Sequence, residues 1–516
     1  MNSEINNYYN KIIGETSNFN KKYYYAKKIS SLIKADGEKA AEELAYSMYD
    51  ELGKGVINDI WIYSFIIKIN PLEKWLKELL ILVIDSKELN WQNKYFIFYQ
   101  VGHMVFMEPK LNTKEVQILN WKLLDQTKRL LIREIRLPIR RLNDAELNND
   151  YAVVIIEQYL TEQHGPTKTV LDRCSVLQKK LNKKILIINT AELMPSVGVI
   201  PFFDAAFGSY IENYLNVNSV EWNGREFSFY QCINDMPNID EIENLIQAVL
   251  RIKPSTVLLV GGSSLLAGII NEYIPVLTVG TTFSGLATTL TDYQIMPENK
   301  LLGCEKILKE VGRDMNSIIK GRFTFSLKEQ TEMHTRQEYG INDSDFVIAL
   351  IGARLEDEIT DELWNMFSRI VDSHIKIILI GPYGCYEEKM EKHSKLNEHV
   401  INLGFCNDVL SIVELCDIYV NPYRRGGGTS AVEAMVKGKP VVTMDYGDVT
   451  SVVDDRFICS SYDEMADIIM RYYNDKKYYD YQSKNAIELA NKCLDSDTEF
   501  VRIINEYNDR IKQIEI

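Results

Sequence analysis

A chain of 516 residues is too long for one hydrophobic core, and about 150 residues per domain gives about three domains. Its 73 acidic side chains against 58 basic ones leave a net charge of -15, which disfavours a sequence-independent grip on nucleic acid but allows a local pocket for a small anion. The eight cysteines are scattered without a CxxC pair, so neither a zinc framework nor a disulfide scaffold is encoded, and free thiols suit a reducing compartment.

The opening MNSEINNYYNKIIGET lacks the apolar core of a signal segment, and no window reaches ~18 uncharged apolar residues. The expectation is a soluble, cytoplasmic protein without a transmembrane segment. Residues 1–147 predict an all-helical N-terminal domain: Ile57, Ile60, Trp61 and Phe65 recur at helical spacing, as do Leu119, Leu123, Leu124, Leu130 and Leu131. No clean 34-residue repeat is present.

The pattern changes at Tyr151. AVVIIE (152–157) is a continuous apolar run, the mark of a strand covered on both faces. A polar loop, QYLTEQHGP, leads into an amphipathic helix from Thr167 to Leu181. KILIIN (184–189), STVLLVGG (255–262) and IPVLTVG (274–280) are further strands. Strands alternating with helices predict a parallel, doubly wound sheet over residues 148–325. A second set covers 326–516: FVIALIGARL (346–355), IKIILIGPYG (375–384), VINLGF (400–405), CDIYVNP (416–422) and KPVVTMD (439–445), closed by a helix striped with Phe500, Ile503, Ile504, Tyr507 and Ile511. The fold class is therefore α/β, two tandem Rossmann-like domains behind a helical domain. A ligand cleft is expected at the carboxyl ends of both sheets.

The stretch NPYRRGGGTSAVEAMVKGKPVVTM (421–444) carries the sharpest signal. CDIYVNP ends at the expected cleft, and three glycines follow two arginines there. Glycines admit positive φ and let a backbone approach a ligand, and successive N–H groups can nest an anion. Thr429 and Ser430 then open a helix, whose N-terminus favours negative charge, and Arg424 and Arg425 offer full charges. This predicts a diphosphate site at Arg425, Gly426, Gly427, Gly428, Thr429 and Ser430, with Glu433 placed to accept two ribose hydroxyls. Ser430 and Glu433 also form an S-x-x-E capping box, which needs no ligand.

GFCNDVLSIVELCDIYVNPYRRGGGTSAVEAMVKGKPVVT resembles the nucleotide-sugar half of GT-B glycosyltransferases, and its C-terminal motif is like glycosyltransferase family 4. The resemblance implies that Glu433 holds the ribose and that Thr429 and Ser430 meet the diphosphate. Gly352 and Arg354, in IGARL, fall where relatives keep a phosphate-binding residue. Many retaining relatives carry a Glu eight residues before the second one, where Arg425 stands here. That departure, the Gly-Thr-Ser turn and the helical domain in front make the bacterial O-GlcNAc-transferase-like protein glycosyltransferases the nearest in arrangement. VLTVGTTFSGLATTLTDYQIMPE (276–298) resembles the end of their first sheet, which implies that Thr281, Thr282 and Ser284 line a sugar or acceptor pocket.

The implied chemistry is transfer of a hexose or N-acetylhexosamine from a nucleotide sugar, UDP-linked, to Ser, Thr or Asn side chains of a bacterial protein. No cofactor or metal is expected, since backbone dipoles and Arg354 are expected to meet the leaving diphosphate. His164, in the loop after the first strand, is the candidate base, with Glu162 beside it, because an imidazole titrates near neutral pH. Lys168 reads as a solvated helix residue. Two other readings stand: a lipid-linked or capsular glycan as acceptor, and a non-catalytic GT-B subunit serving a partner glycosyltransferase.

Overall fold

Strand β1 (Asn148–Ile156) sets the layers of the molecule. In the computed structural model, which describes residues 3–14, 19–162, 164–192, 200–233, 236–283 and 285–514, both faces of this strand are covered. Val153 and Ile155 join a core that also holds Phe96, Val101 and Leu123 of the helical domain. Ala152, Val154 and Ile156 join another with Val170 and Leu177. The seven N-terminal helices, from Ser3–Gly14 to Lys114–Ile132, are thus packed onto one face of the first sheet rather than hung from a linker.

The first sheet adds β2 (Lys184–Asn189), β3 (Ser219–Trp222), β4 (Arg225–Gln231), β5 (Pro254–Val260), β6 (Leu277–Val279), β7 (Tyr293–Met296) and β8 (Ile318–Lys320). Its order is β3-β4-β2-β1-β5-β6-β7-β8, parallel except for the β3–β4 hairpin. The second sheet holds β9 (Phe346–Ile351), β10 (Ile375–Ile380), β11 (Val400–Gly404), β12 (Ile418–Val420), β13 (Val441–Met444) and β14 (Ile458–Cys459). Its order, β11-β10-β9-β12-β13-β14, is wholly parallel. Each sheet winds one way and then the other, so it has a switch point: between β1 and β5 in the first, between β9 and β12 in the second.

The apolar stripe at the C-terminus forms a helix, Ser496–Ile514, but not where the sequence reading put it. Phe500, Ile503, Ile504, Tyr507 and Ile511 bury themselves in the first domain, against the layer that holds Ala152 and Val154. Tyr507 donates to the Pro275 carbonyl at 2.6 Å, and Arg173 stacks on the Phe500 ring at 4.8 Å. A stripe specifies that a face must be covered, not what covers it. The helix after the second domain therefore returns to the first and ties the two together.

Candidate functional site

The second switch point is built around one buried arginine. Arg424 donates to Asn421 Oδ1 at 2.9 Å, to the Ile351 carbonyl at 2.7 Å, to Tyr419 Oη at 2.8 Å and to Glu358 at 2.6 Å. These bonds lash the loop after β12 to the end of β9. The sequence reading offered Arg424 to a ligand; the structure spends it as a strut, because a buried guanidinium needs its donors met. Gly427 has φ +108, and a Cβ there would lie 2.5 Å from Asn421 Oδ1 and 2.9 Å from Arg424 Nη2. Gly426 differs: a Cβ on it would meet only open space.

The helix that follows is Gly428–Val436, with Gly427 as its N-cap and no side-chain cap. Ser430 thus lies in the first turn, and the expected Ser430–Glu433 capping box does not form. The uncapped end leaves backbone N–H groups and the positive pole of the helix for a ligand.

That end opens on a cavity of ≈ 280 Å³ between the domains. Gly352 and Gly381 supply its floor, from the ends of β9 and β10. Thr429, Ser430 and Glu433 line one wall. Opposite them stand Gly165 and Lys168, from the first turns of the first-domain helix Gly165–Leu181. Glu433 makes no hydrogen bond or ion pair to the protein among the described residues. Burial raises its pKa, Lys168 opposes the rise and Asp408 adds to it. Lys168 was read from sequence as solvated; it lies in the cleft instead. The signal for it was its place in the first turns of the helix after β1, at the carboxyl end of a strand that borders the first switch point.

His164 feels the charge of Arg354 away from the cavity wall. His164 caps the Gly165–Leu181 helix by position, and its Nδ1 lies 3.1 Å from Thr167 Oγ. Burial first, and then the charge of Arg354, push its pKa down to about 4. Arg354 stacks on Phe106 of the helical domain at 4.9 Å and pairs with Glu358 at 3.2 Å. It is not among the residues lining the cavity, and neither is Arg425, whose carbonyl accepts the Asp448 N–H at 2.7 Å. Glu162 lines a smaller void of ≈ 50 Å³ next to the cavity, with Lys168, Trp222 and Glu433.

Thr281 and Thr282 are half-buried where the first domain abuts the back of the glycine loop. There the Phe283 N–H donates to Asp448 at 2.6 Å and Ser451 Oγ to the Phe283 carbonyl at 2.8 Å. Neither threonine lines the cavity, and Ser284 lies outside the described residues. Among the described residues no three His, Cys, Asp or Glu side chains gather as a metal site, and no helix is long and apolar enough to cross a membrane.

The first switch point carries a feature absent from the sequence reading. Glu157, just past β1, accepts from the Gly262 and Ser263 N–H groups at 3.0 and 3.3 Å and from Ser263 Oγ at 2.6 Å. Glu192 accepts from Ser264 Oγ and from the Leu265 and Leu266 N–H groups at 2.9 and 3.1 Å. Both carboxyls are buried. Burial, with Glu157 as a second cause, pushes the Glu192 pKa up to about 7.

Residues 332–489, which contain the cavity floor, the glycine loop and Glu433, match the family described as Glycosyl transferases group 1. Comparison with curated proteins gives no match. Among solved structures, the chain is similar to Anabaena HepE in complex with UDP, at 14% identity over 70% of this chain and 100% of that one, TM-score 0.51. A glycosyltransferase from Rickettsia africae aligns at 11% identity over 70% of this chain and 99% of that one, TM-score 0.52. A mutant Thermobaculum terrenum O-GlcNAc transferase aligns at 11% identity over 99% of this chain and 98% of that one, TM-score 0.51. Two Rossmann-like sheets, a cleft between them and the likeness to these structures make this a GT-B-fold protein whose residues 332–489 match the group 1 glycosyl transferases.

Proposed function

We propose that the protein transfers a hexose or N-acetylhexosamine from a UDP-sugar to Ser, Thr or Asn side chains of a bacterial protein, in the cytoplasm. One observation carries the reading. The open cavity at the second switch point brings an uncapped helix N-terminus together with a half-buried carboxylate that the protein leaves unbonded. Those are the groups a nucleoside diphosphate needs: positive dipoles for its phosphates and an acceptor for its ribose hydroxyls. The choice of UDP is supported by the likeness to a GT-B structure holding UDP. A protein acceptor is supported by the likeness to an O-GlcNAc transferase over the whole chain, helical domain included.

In this reading Glu433 holds the ribose, and Thr429, Ser430 and the Gly426–Gly428 backbone hold the diphosphate. His164 takes the acceptor proton, with Arg354 beside it. No metal takes part, so a chelator leaves turnover unchanged. UDP at 100 times its Kd should stabilise the domain that binds it by about 2.7 kcal/mol in thermal unfolding. Glu433→Ala should remove most of that shift. Intact protein that binds no nucleoside diphosphate would overturn the proposal.

A non-catalytic GT-B subunit is the second reading, favoured by Arg425 standing where retaining relatives have a carboxylate. It predicts UDP binding without sugar release from any UDP-sugar, and a stable complex with a second glycosyltransferase.

A further inference from the structure

The charge around the cavity does not balance for the ligand just proposed. Its acidic wall residues are Glu329, Asp408 and Glu433, and its basic ones among the described residues are Lys168 and Lys328. Asp408 is already engaged, accepting N–H groups from Thr331, Glu332 and Ser411. A diphosphate adds at least two negative charges, and a helix end offers only about half a positive one.

The arginines do not make up the difference. Arg424 is consumed inside the loop by Asn421, Tyr419, Ile351 and Glu358. Arg354 lies on Phe106 and Glu358, and Arg425 is not on the wall. Lys168 is on the wall, its ammonium in no ion pair or hydrogen bond with the protein among the described residues. It rises from the first turns of its helix on the opposite domain and lines the same cavity as Thr429, Ser430 and Glu433. Its charge already reaches the cavity, where it opposes the rise that burial imposes on the Glu433 carboxyl.

We infer that Lys168 is the cation that grips the donor diphosphate from the first domain, so that the nucleotide bridges the two domains. This rests on the nucleotide-sugar reading above. Lys328, on the segment that connects the domains, adds a second, more exposed charge. A full charge supplied by the far wall makes phosphate binding the event that draws the cleft shut, while the ribose and base are held by the second domain alone.

The test is calorimetric titration of the full-length protein with UDP and with uridine. Lys168→Met should weaken UDP about 10- to 100-fold, the worth of one charged hydrogen bond, and leave uridine unchanged. Lys168→Arg should restore most of the UDP affinity. Glu433→Gln serves as the contrast, since a ribose contact weakens both ligands alike. The salt dependence of UDP binding should flatten in Lys168→Met, which a purely structural role would not produce.

Wild-type protein that binds UDP with an affinity unchanged in Lys168→Met overturns the inference and leaves the nucleotide site standing. Equal losses for UDP and uridine in that variant overturn it too, by making Lys168 a ribose or scaffold residue. Wild-type protein that binds no UDP overturns the reading of the site and the inference with it. Melting of each variant without ligand, matched to wild type, shows that the comparison is between folded proteins.

Discussion

The two switch points of this molecule solve the same problem in opposite ways. Each lies where a parallel sheet reverses its winding and presents backbone N–H groups at the carboxyl ends of its strands. In the first domain the protein fills the place itself. Glu157 and Glu192, both buried, take up the N–H groups of Gly262, Ser263, Leu265 and Leu266. In the second domain the equivalent groups face a cavity of ≈ 280 Å³, and the buried charge, Arg424, braces the loop from behind. One fold unit thus yields a closed scaffold where a carboxylate is placed on the strand end, and a ligand site where glycine and threonine are.

The strongest way to break this contrast is to disturb the glycine loop that leads into the open site. Gly427→Ala forces a side chain into the left-handed region at φ +108 and against Asn421 and Arg424. Strain and overpacking together should cost about 2–6 kcal/mol, seen as an early transition in urea or thermal unfolding. Gly426→Ala puts the same methyl into open space. Its stability should change by less than about 0.5 kcal/mol while UDP binding falls about tenfold. Equal stability losses in the two variants would mean that the glycine run is needed only as a turn.

How much of this was legible in the sequence follows from what each signal reports. Continuous apolar runs gave β1, β2, β9 and β10, because a strand buried on both faces cannot hide its composition. The β3–β4 hairpin was missed although its signal was present. Asn223 and Gly224, at φ 50 and 70, form the tight turn in VEWNGREF, and an Asn-Gly pair between alternating residues is the usual mark of one. The glycine loop and Glu433 were found because strand, glycines and helix are consecutive. Lys168, Glu157 and Glu192 were not, because what they face lies far along the chain: Glu157 and Gly262 are 105 residues apart. Sequence spacing reports neighbours on one element, and both sites depend on pairings across elements.

A second test addresses the closed site. The Glu192 carboxyl has an ordinary pKa of 4.5 when exposed and is pushed up to about 7 in the fold. Between those values the native state holds a proton that the unfolded chain has lost, so stability falls as pH rises. The contribution is fully present below pH 4.5 and gone once the pH passes about 7, a change on the order of 3 kcal/mol. Glu192→Gln keeps a carbonyl for the Leu265 and Leu266 N–H groups and carries no proton to lose. The variant should lose this pH dependence and outlast wild type at pH 8 in chemical unfolding. A wild-type curve flat from pH 5 to pH 8 would show that the carboxyl stays ionised and that the self-filled site is an anion site in the full sense.

The smallest effect belongs to His164, at the start of the Gly165–Leu181 helix, where the same cause, burial, acts with the opposite sign. An imidazole loses its charge when buried, so its pKa falls from 6.5 to about 4, with Arg354 as the lesser contributor. A base held at 4 is already deprotonated throughout the physiological range. If His164 accepts the acceptor proton, kcat/KM should be level from pH 6 to 8 and drop only as the pH falls through about 4, and a stopped assay across pH 3.5–8 reads this directly. Arg354→Met should move the acid limb upward, but by less than the full distance to 6.5, because burial remains. A wild-type limb at 6.5 would place His164 in water rather than in the cleft. A limb unmoved in Arg354→Met would assign the whole depression to burial and leave Arg354 with no hold on the base.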